Sequence, residues 1–433
     1  MTAATDHADF ARAKAREIPG FPADLAPLPI ESLAVVGSGT MGAGIAIAAL
    51  AAGLPVILLD AKPDMLEKAH ARIGKTVAGD VAKGRLTPQQ AEERLSRLTL
   101  ASDLAAAADV DLVIEAVFED IAVKGQVFTE LDRICKPGAV LASNTSTLDV
   151  NRIAAFTSRP EQVVGLHFFS PANIMKLLEI VRADKTSDRV LVTAVELARR
   201  LRKTGVVAGV CDGFIGNRIF EEYLRQAYFL LEEGALPDQV DSAMERWGFA
   251  MGPLRVMDLV GQDIGWSIRK RRAVEQPDRP YSRVADMICE MGRFGQKTGS
   301  GYYRYADGRT AEPDPEIDAL ILAESARLGI TRREISDEEI VDRCVLAMVN
   351  EGAQILEEGI AYRPSDIDAV YLDGYGFPAE RGGPMYEADQ RGLGAVFARV
   401  RGFNNGYQGW AFEPAPLLIR LAEQGGSFGA LNT

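Results

Sequence analysis

The chain has 433 residues, a formal net charge of −13, 47% hydrophobic residues and 25% charged ones. That is the balance of an ordinary globular protein rather than a disordered or membrane one, with a length suited to about two to four domains. The acidic surplus argues against nucleic acid as a partner, because phosphate recognition needs Lys and Arg in excess on some face.

Residues 1–30 are Ala-rich and charged up to Arg16, then Pro-rich through "IPGFPADLAPLP", so a short helix and an extended linker are expected there. The early charges leave no room for a secretory apolar core, and "GALNT" at the end is no peroxisomal address. The expected location is cytoplasmic. Cys135, Cys211, Cys289 and Cys344 stand far apart without a C-x-x-C, which suggests neither a disulfide framework nor a zinc site, and no metal is expected.

From Leu33 the sequence runs "LAVVGSGTMGAGIAIAALAAGLPVILLD". Met41 to Leu59 carries no charge and has the length of a membrane span. Gly53-Leu54-Pro55 divides it into two pieces, each too short to cross a bilayer, so no membrane partner is expected. The same stretch reads better as strand, helix of small residues and strand, a βαβ unit. Gly37, Gly39 and Gly42 then form G-x-G-x-x-G at the strand-to-helix turn, with Thr40 and Met41 between the glycines in the same candidate cofactor loop. Gly37 permits the tight turn, and Gly39 lets a pyrophosphate approach the helix N-terminus. Asp60 closes the second strand where a carboxylate would meet the adenosine ribose, which favours NAD over NADP although Lys62 follows closely.

Further strands are expected in "DVDLVIEAV", "GAVLASN" and "VVGLHFF", with helical patterns such as "DIAVKGQVFTELDRIC" between them. The alternation implies an α/β Rossmann-type doubly wound sheet. "SNTSTL" at 143–148 follows a strand and falls at the ligand edge of such a sheet, where its hydroxyls and amide could hold a substrate oxygen; loop capping is the commoner use of such residues. The chain has three histidines, His7, His70 and His167, and only His167 stands at the end of an apolar strand. It could be the base that takes a hydroxyl proton as hydride leaves, or a buried imidazole with one structural hydrogen bond. Twelve residues on, Glu179 lies in the apolar run "IMKLLEIV" and needs a partner, for which His167, Lys176 and Arg182 are candidates.

After about Val210 the expected strands stop. "GFIGNR" opens a helical region and makes Asn217 a candidate hydrogen-bond donor. That region contains a repeat: Leu231-Glu232-Glu233-Gly234 answers to Leu356-Glu357-Glu358-Gly359, Val240-Asp241 to Ile367-Asp368, and Gly252-Pro253 to Gly383-Pro384. The expected organisation is therefore a linker and helix at 1–30, a nucleotide domain at 31–210, a first helical domain at 211–310 and a second, related one at 311–433. If the repeats pair, Tyr228, Leu231, Ala347 and Ile355 become buried and a monomer is expected, since a duplicated domain can satisfy a two-fold interface internally.

Taken in order, "VVGSGTMGAGIA", "DLVIEAVFED", "SNTSTL", "HFFSPANIMKLLEIV", "GFIGNR", "EMGRFGQKTGSGYYRY" and "GYGFPAERGGPM" resemble the L-3-hydroxyacyl-CoA dehydrogenases, closest to the dehydrogenase half of multifunctional β-oxidation enzymes. The resemblance implies an NAD cofactor and an acyl-CoA thioester substrate. It implies His167 as general acid/base, Glu179 as its orienting carboxylate, and Ser146 and Asn217 near the reacting oxygen. It also implies Glu119, Lys124, Asn144, Ser146 and Ser170 beside the NAD, with Thr76 and Lys83 toward CoA. Ser170 stands where short-chain members carry Asn, which argues subtype. No hydratase half is seen in these 433 residues, so one reaction is expected, with a separate enoyl-CoA hydratase as a possible partner. A dehydrogenase of free hydroxy acids or sugar acids and a non-catalytic nucleotide-binding protein remain the alternatives.

Overall fold

The computed structural model describes residues 2–21, 25–275, 277 and 279–433; residues 22–24 of the Pro-rich stretch lie outside the described residues. Eight strands form one sheet in the order β3-β2-β1-β4-β5-β6-β7-β8. They are β1 (Leu33–Val36), β2 (Val56–Leu59), β3 (Leu98–Ala101), β4 (Leu112–Glu115), β5 (Val140–Ser143), β6 (Val163–Phe168), β7 (Leu177–Val181) and β8 (Thr204–Ala208). All neighbours pair parallel except β6 and β7, which are antiparallel. The central strands are buried along their whole length, as expected when helices cover both faces of a parallel sheet. The Rossmann-type expectation is met.

Two strands were not expected. β3 is an edge strand whose middle residues are exposed, so it carries no apolar run. β8 is the short "TGVVA" segment between the Asp188–Arg200 helix and the "GVCDGF" turn. The apolar run that could pass for a membrane span is the Thr40–Ala51 helix followed by β2, both buried in the sheet core. Among the described residues no helix is long and apolar enough to cross a membrane.

The chain divides into two compact units. The first comprises Met1–Asn217, Glu358–Tyr375 and Leu431–Thr433; the second comprises Arg218–Glu357 and Gly376–Ala430.

In the first unit, the N-terminal segment carries the short helix expected of it. The helix Ala3–Lys14 opens with a Thr2/Thr5 capping box and buries Ala4, Ala8 and Ala11, a spacing that gives one small-residue face. It packs on the helix Pro364–Gly374: His7 Nε2 lies 2.8 Å from Asp368 Oδ2, and the Arg12 guanidinium reaches Asp373 at 2.9 Å. The Pro364–Gly374 helix in turn adjoins β7 and β8. Gly209 N donates to Ile360 O at 2.8 Å, Thr204 Oγ1 to Asp373 Oδ2 at 2.6 Å, and a Cβ on Gly374 would meet Leu177 Cδ2 at 2.4 Å.

The second unit is helical, with a single pair of two-residue strands among the described residues, Tyr303–Arg304 and Glu312–Pro313. Its helix Asp337–Glu357 is buried along most of its length. Arg343 reaches Gln226 Oε1 at 3.0 and 3.1 Å and pairs with Glu233, and Arg218 Nε lies 2.6 Å from Glu351 Oε1. These contacts tie the first helix of one repeat to the first helix of the other, and Tyr228, Leu231, Ala347 and Ile355 are all buried.

Candidate active site

The residues singled out for chemistry gather where β5 and β6 end. In the antiparallel β6–β7 pair, His167 stands directly opposite Glu179, so a separation of twelve residues becomes a cross-strand pair. His167 Nδ1 lies 2.7 Å from Glu179 Oε2. The other oxygen, Oε1, accepts from Ile215 N at 3.1 Å and Gly216 N at 2.9 Å, at the start of the helix Gly216–Glu233. Both oxygens of a fully buried carboxylate are thereby partnered, which is what its burial requires. Of the alternative partners, Arg182 pairs with Asp188 instead.

With Nδ1 directed at a carboxylate, the imidazole carries its proton on Nδ1 and leaves Nε2 as an acceptor. The Phe169 and Phe214 rings flank it, at centroid distances of 4.3 and 5.8 Å. His7 also meets a carboxylate, but in a helix–helix contact away from the strand ends, and His70 is exposed on the Pro63–Ala82 helix.

The "SNTSTL" loop shows both uses of its polar side chains. Thr145 caps: its hydroxyl bonds Glu119 and accepts from Leu148 N at 2.9 Å. Asn144 Oδ1 accepts from Phe168 N at 2.8 Å, fixing the loop to the strand that carries His167. Ser146 N donates to Glu119 Oε1 at 2.9 Å, while the Ser146 hydroxyl has no hydrogen-bond partner among the described residues. Asn217 follows the two amides that hold Glu179, and its Oδ1 accepts from the Tyr375 hydroxyl at 2.7 Å.

The glycine loop has the form a dinucleotide needs. Gly37 has φ +99°, and a Cβ there would lie 2.6 Å from Ala116 O; a Cβ on Gly42 would lie 1.8 Å from Gly37 O. Over Gly39 a Cβ would meet nothing within 4 Å. The Thr40–Ala51 helix that starts there has no side-chain cap, so its first N–H groups, Thr40 and Met41 included, have no side-chain acceptor among the described residues. The open approach and the uncapped helix end suit the pyrophosphate of NAD. Asp60 Oδ2 accepts from Ser38 N and Oγ at 2.9 and 2.8 Å, and Oδ1 from Lys62 N at 3.0 Å. Burial pushes the Asp60 carboxyl up, but the bonds from Ser38 and Lys62 outweigh it and hold the carboxyl below its usual value.

Lys124 is almost wholly buried, with Glu115 Oε1 and Oε2 at 2.7 and 3.0 Å and Glu119 Oε2 at 3.1 Å. Burial raises the Glu119 carboxyl, but Lys124, Thr145 and Ser146 together outweigh it and hold the carboxyl below its usual value. This network holds the loops that follow β4 and β5. Ser170 is exposed just beyond β6. Thr76 Oγ1 bonds Arg72 O within its own helix and Lys83 forms that helix's C-cap, so neither is hydrogen-bonded to another candidate residue.

Three further residues bear on the site. Glu115, fully buried, also accepts from Ser143 Oγ and Val117 N, and an acid at the end of an apolar strand was the signal for it, as for Glu179. Lys203, which burial lowers to about 8, ties down the loop after Ser170 through Ala172 O at 2.7 Å and Met175 O at 2.6 Å. Tyr375 had no signal beyond its place in "GYGFP".

Comparison with known proteins adds the following. The family model described as 3-hydroxyacyl-CoA dehydrogenase, NAD binding domain, matches residues 32–211, and that of the C-terminal domain matches twice, at 213–305 and 340–429. The peroxisomal bifunctional enzyme of Danio rerio is 44% identical over 414 residues, which are 92% of this chain and 57% of that protein. The chain thus spans somewhat over half the length of the curated relatives it matches. Among solved structures, 3-hydroxybutyryl-CoA dehydrogenase from Escherichia coli K12 aligns with a TM-score of 0.81 at 28% identity, covering 92% of this chain and 99% of that one. The dehydrogenase part of multifunctional enzyme 1 from C. elegans aligns with a TM-score of 0.69 at 28% identity, covering 96% of each. The cytoplasmic expectation is overturned by the relatives, which are named as peroxisomal in Danio rerio and Homo sapiens. A compartment is set by an address that a receptor reads, and neither composition nor the lack of a familiar tripeptide reports on it.

Proposed function

Because the chain belongs to the 3-hydroxyacyl-CoA dehydrogenase family and carries that family's NAD-binding domain, we propose that it oxidises (S)-3-hydroxyacyl-CoA to 3-oxoacyl-CoA, as in β-oxidation. The observation that carries this reading is the buried His167–Glu179 pair at the ligand edge of the sheet, with Asn144 bonded to the strand that carries His167 and Asn217 directly after the amides that hold Glu179. Bound NAD supplies the acceptor for the hydride that leaves C3 of the substrate.

The chain's own residues handle the proton and the oxygen. His167 Nε2 takes the proton from the 3-hydroxyl as the C–H bond breaks, and the O–H electrons become the new carbonyl π bond. Glu179 holds the imidazole in the accepting tautomer and faces the positive charge that develops on it, while the two amides at the helix start hold Glu179. The Ser146 hydroxyl and the Asn217 amide donate to the oxygen while it carries partial negative charge. Asp60, Glu119, Lys124 and Ser170 act on the cofactor side, directly or by holding its loops, and Thr76 and Lys83 face CoA. The peroxisomal relatives support a peroxisomal location, and a hydratase acting before this step, on the same chain or another, would supply the alcohol.

A panel of 3-hydroxyacyl-CoAs of graded length, followed by NADH absorbance, tests the substrate class; turnover of free hydroxy acids alone would overturn it. His167→Gln should lower kcat by roughly 10²- to 10⁴-fold, the range of general base catalysis, with NAD affinity unchanged. A variant that kept most of its kcat would remove His167 from the mechanism.

A further inference from the structure

Tyr375 enters the site from a part of the chain remote in sequence. Its hydroxyl lies 2.7 Å from Asn217 Oδ1, and its ring covers Gly216 so closely that a Cβ there would be 2.4 Å from Tyr375 Cε2. The ring is fixed on two sides: it stacks on Tyr371 with centroids 4.9 Å apart, and Phe169 meets it edge-on at 5.6 Å. Tyr371 is anchored in turn by its hydroxyl, which donates to Gly216 O at 3.2 Å. The contacts close a ring of residues, from His167 to Phe169, to Tyr375, to Asn217, through the Gly216 amide to Glu179, and back to His167.

We propose that Tyr375 is a positioning residue for the reaction: by occupying Asn217 Oδ1 it commits that amide to present its Nδ2 hydrogens, and not its oxygen, to the substrate oxygen. An unheld carboxamide can rotate and offer either edge, one a donor and the other an acceptor. Only the donor edge stabilises an oxygen that gains negative charge as hydride leaves; the acceptor edge would repel it. Asn217 Nδ2 has no hydrogen-bond partner among the described residues, which leaves it available for this task. Burial, and after it the nearby Glu179, raise the Tyr375 hydroxyl well above its ordinary value, so it stays a donor across the working range of pH. The inference rests on the role assigned to Asn217 under the proposed function.

The test is a double-mutant cycle with Tyr375→Phe and Asn217→Ala, read as kcat and KM, with NAD affinity and a thermal melt as controls for folding. Tyr375→Phe keeps the ring and its stacking and removes only the hydroxyl. Its kcat should fall roughly five- to tenfold, the worth of about one hydrogen bond, with KM and NAD affinity little changed. In the Asn217→Ala background the same substitution should cost nothing further, because its effect passes through the amide. A silent Tyr375→Phe, or an equal loss in both backgrounds, overturns the inference and leaves the proposed function intact. A silent Asn217→Ala overturns the role given to Asn217 itself, and the inference with it.

Discussion

Replacing Glu179 with Gln puts two demands of the site in conflict, and the structure indicates which one yields. The carboxylate accepts two backbone N–H groups on Oε1 and faces His167 Nδ1 with Oε2. An amide has one acceptor. If its oxygen turns to His167, its NH2 confronts Ile215 N and Gly216 N, and two buried donors go unmet at about 1–3 kcal/mol each. If its oxygen stays on the backbone, its NH2 faces Nδ1 and forces the proton onto Nε2, the atom that must accept. The second arrangement leaves fewer groups unsatisfied, so the variant folds and binds NAD but holds the wrong tautomer. Substituting the orienting carboxylate of a Ser-His-Asp triad by its amide lowers kcat about 10⁴-fold for the same reason, and a loss of roughly 10³- to 10⁴-fold is expected here. The assay is kcat from NADH formation with a short 3-hydroxyacyl-CoA, alongside NAD titration and a melting curve that should move by only a few degrees. A Glu179→Gln enzyme within tenfold of wild type would refute the tautomer argument.

Asp60→Ala should weaken NAD about 10- to 100-fold and relax the exclusion of NADP, since one charged acceptor is lost; equal use of both cofactors by wild type would refute this. Because the Asp60 carboxyl is held below its usual value, it stays ionised from about pH 5 to pH 9, and the NAD/NADP preference should not titrate in that window. The sign for stability follows: Asp60 stabilises the fold above its unfolded value of about 3.9, and the contribution is lost as pH falls through the depressed folded value. A preference that changed tenfold across neutrality would show another group at work. The paired repeat helices, with Arg343 on Gln226 and Arg218 on Glu351, lead us to propose a monomer, and light scattering giving twice the chain mass at micromolar concentration would refute it.

What could be read from the sequence was whatever has a local signature. The β1–helix–β2 unit announces itself by uncharged runs and glycines at fixed offsets, and the His167–Glu179 pair by an acid that an apolar strand cannot leave unpartnered. The two strands that escaped notice lack such a mark: β3 is exposed along an edge, and β8 is short and ends in an ordinary turn. In residues 1–30 a short helix is legible but its buried face is not, because Ala4, Ala8 and Ala11 are too small to advertise one; only the partner helix Pro364–Gly374 makes that face meaningful. For Lys124 the resemblance implies a place beside the cofactor, but its pairing with Glu115, an acid nine residues upstream, has no mark in the sequence. Tyr375 could not be assigned from sequence at all, because its function depends on a neighbour that only the tertiary fold supplies.

The bridge between Ala208 and Ala361 has a consequence for the order in which the protein can assemble. A ribosome releases the eight strands and the whole first helical repeat before it makes Glu358–Tyr375, the segment that continues along β8 and covers Leu177. Until then Ala208 is paired with β7 alone and lacks its bridge on the outer side, and Asn217 has no tyrosine to hold it. A nascent or truncated chain ending near residue 310 would therefore carry every motif of a nucleotide-binding enzyme and still present an open strand edge. Such an edge is a surface for chaperones or for wrong pairing. Catalytic competence should then appear late and all at once, when the polypeptide returns to the sheet it began with.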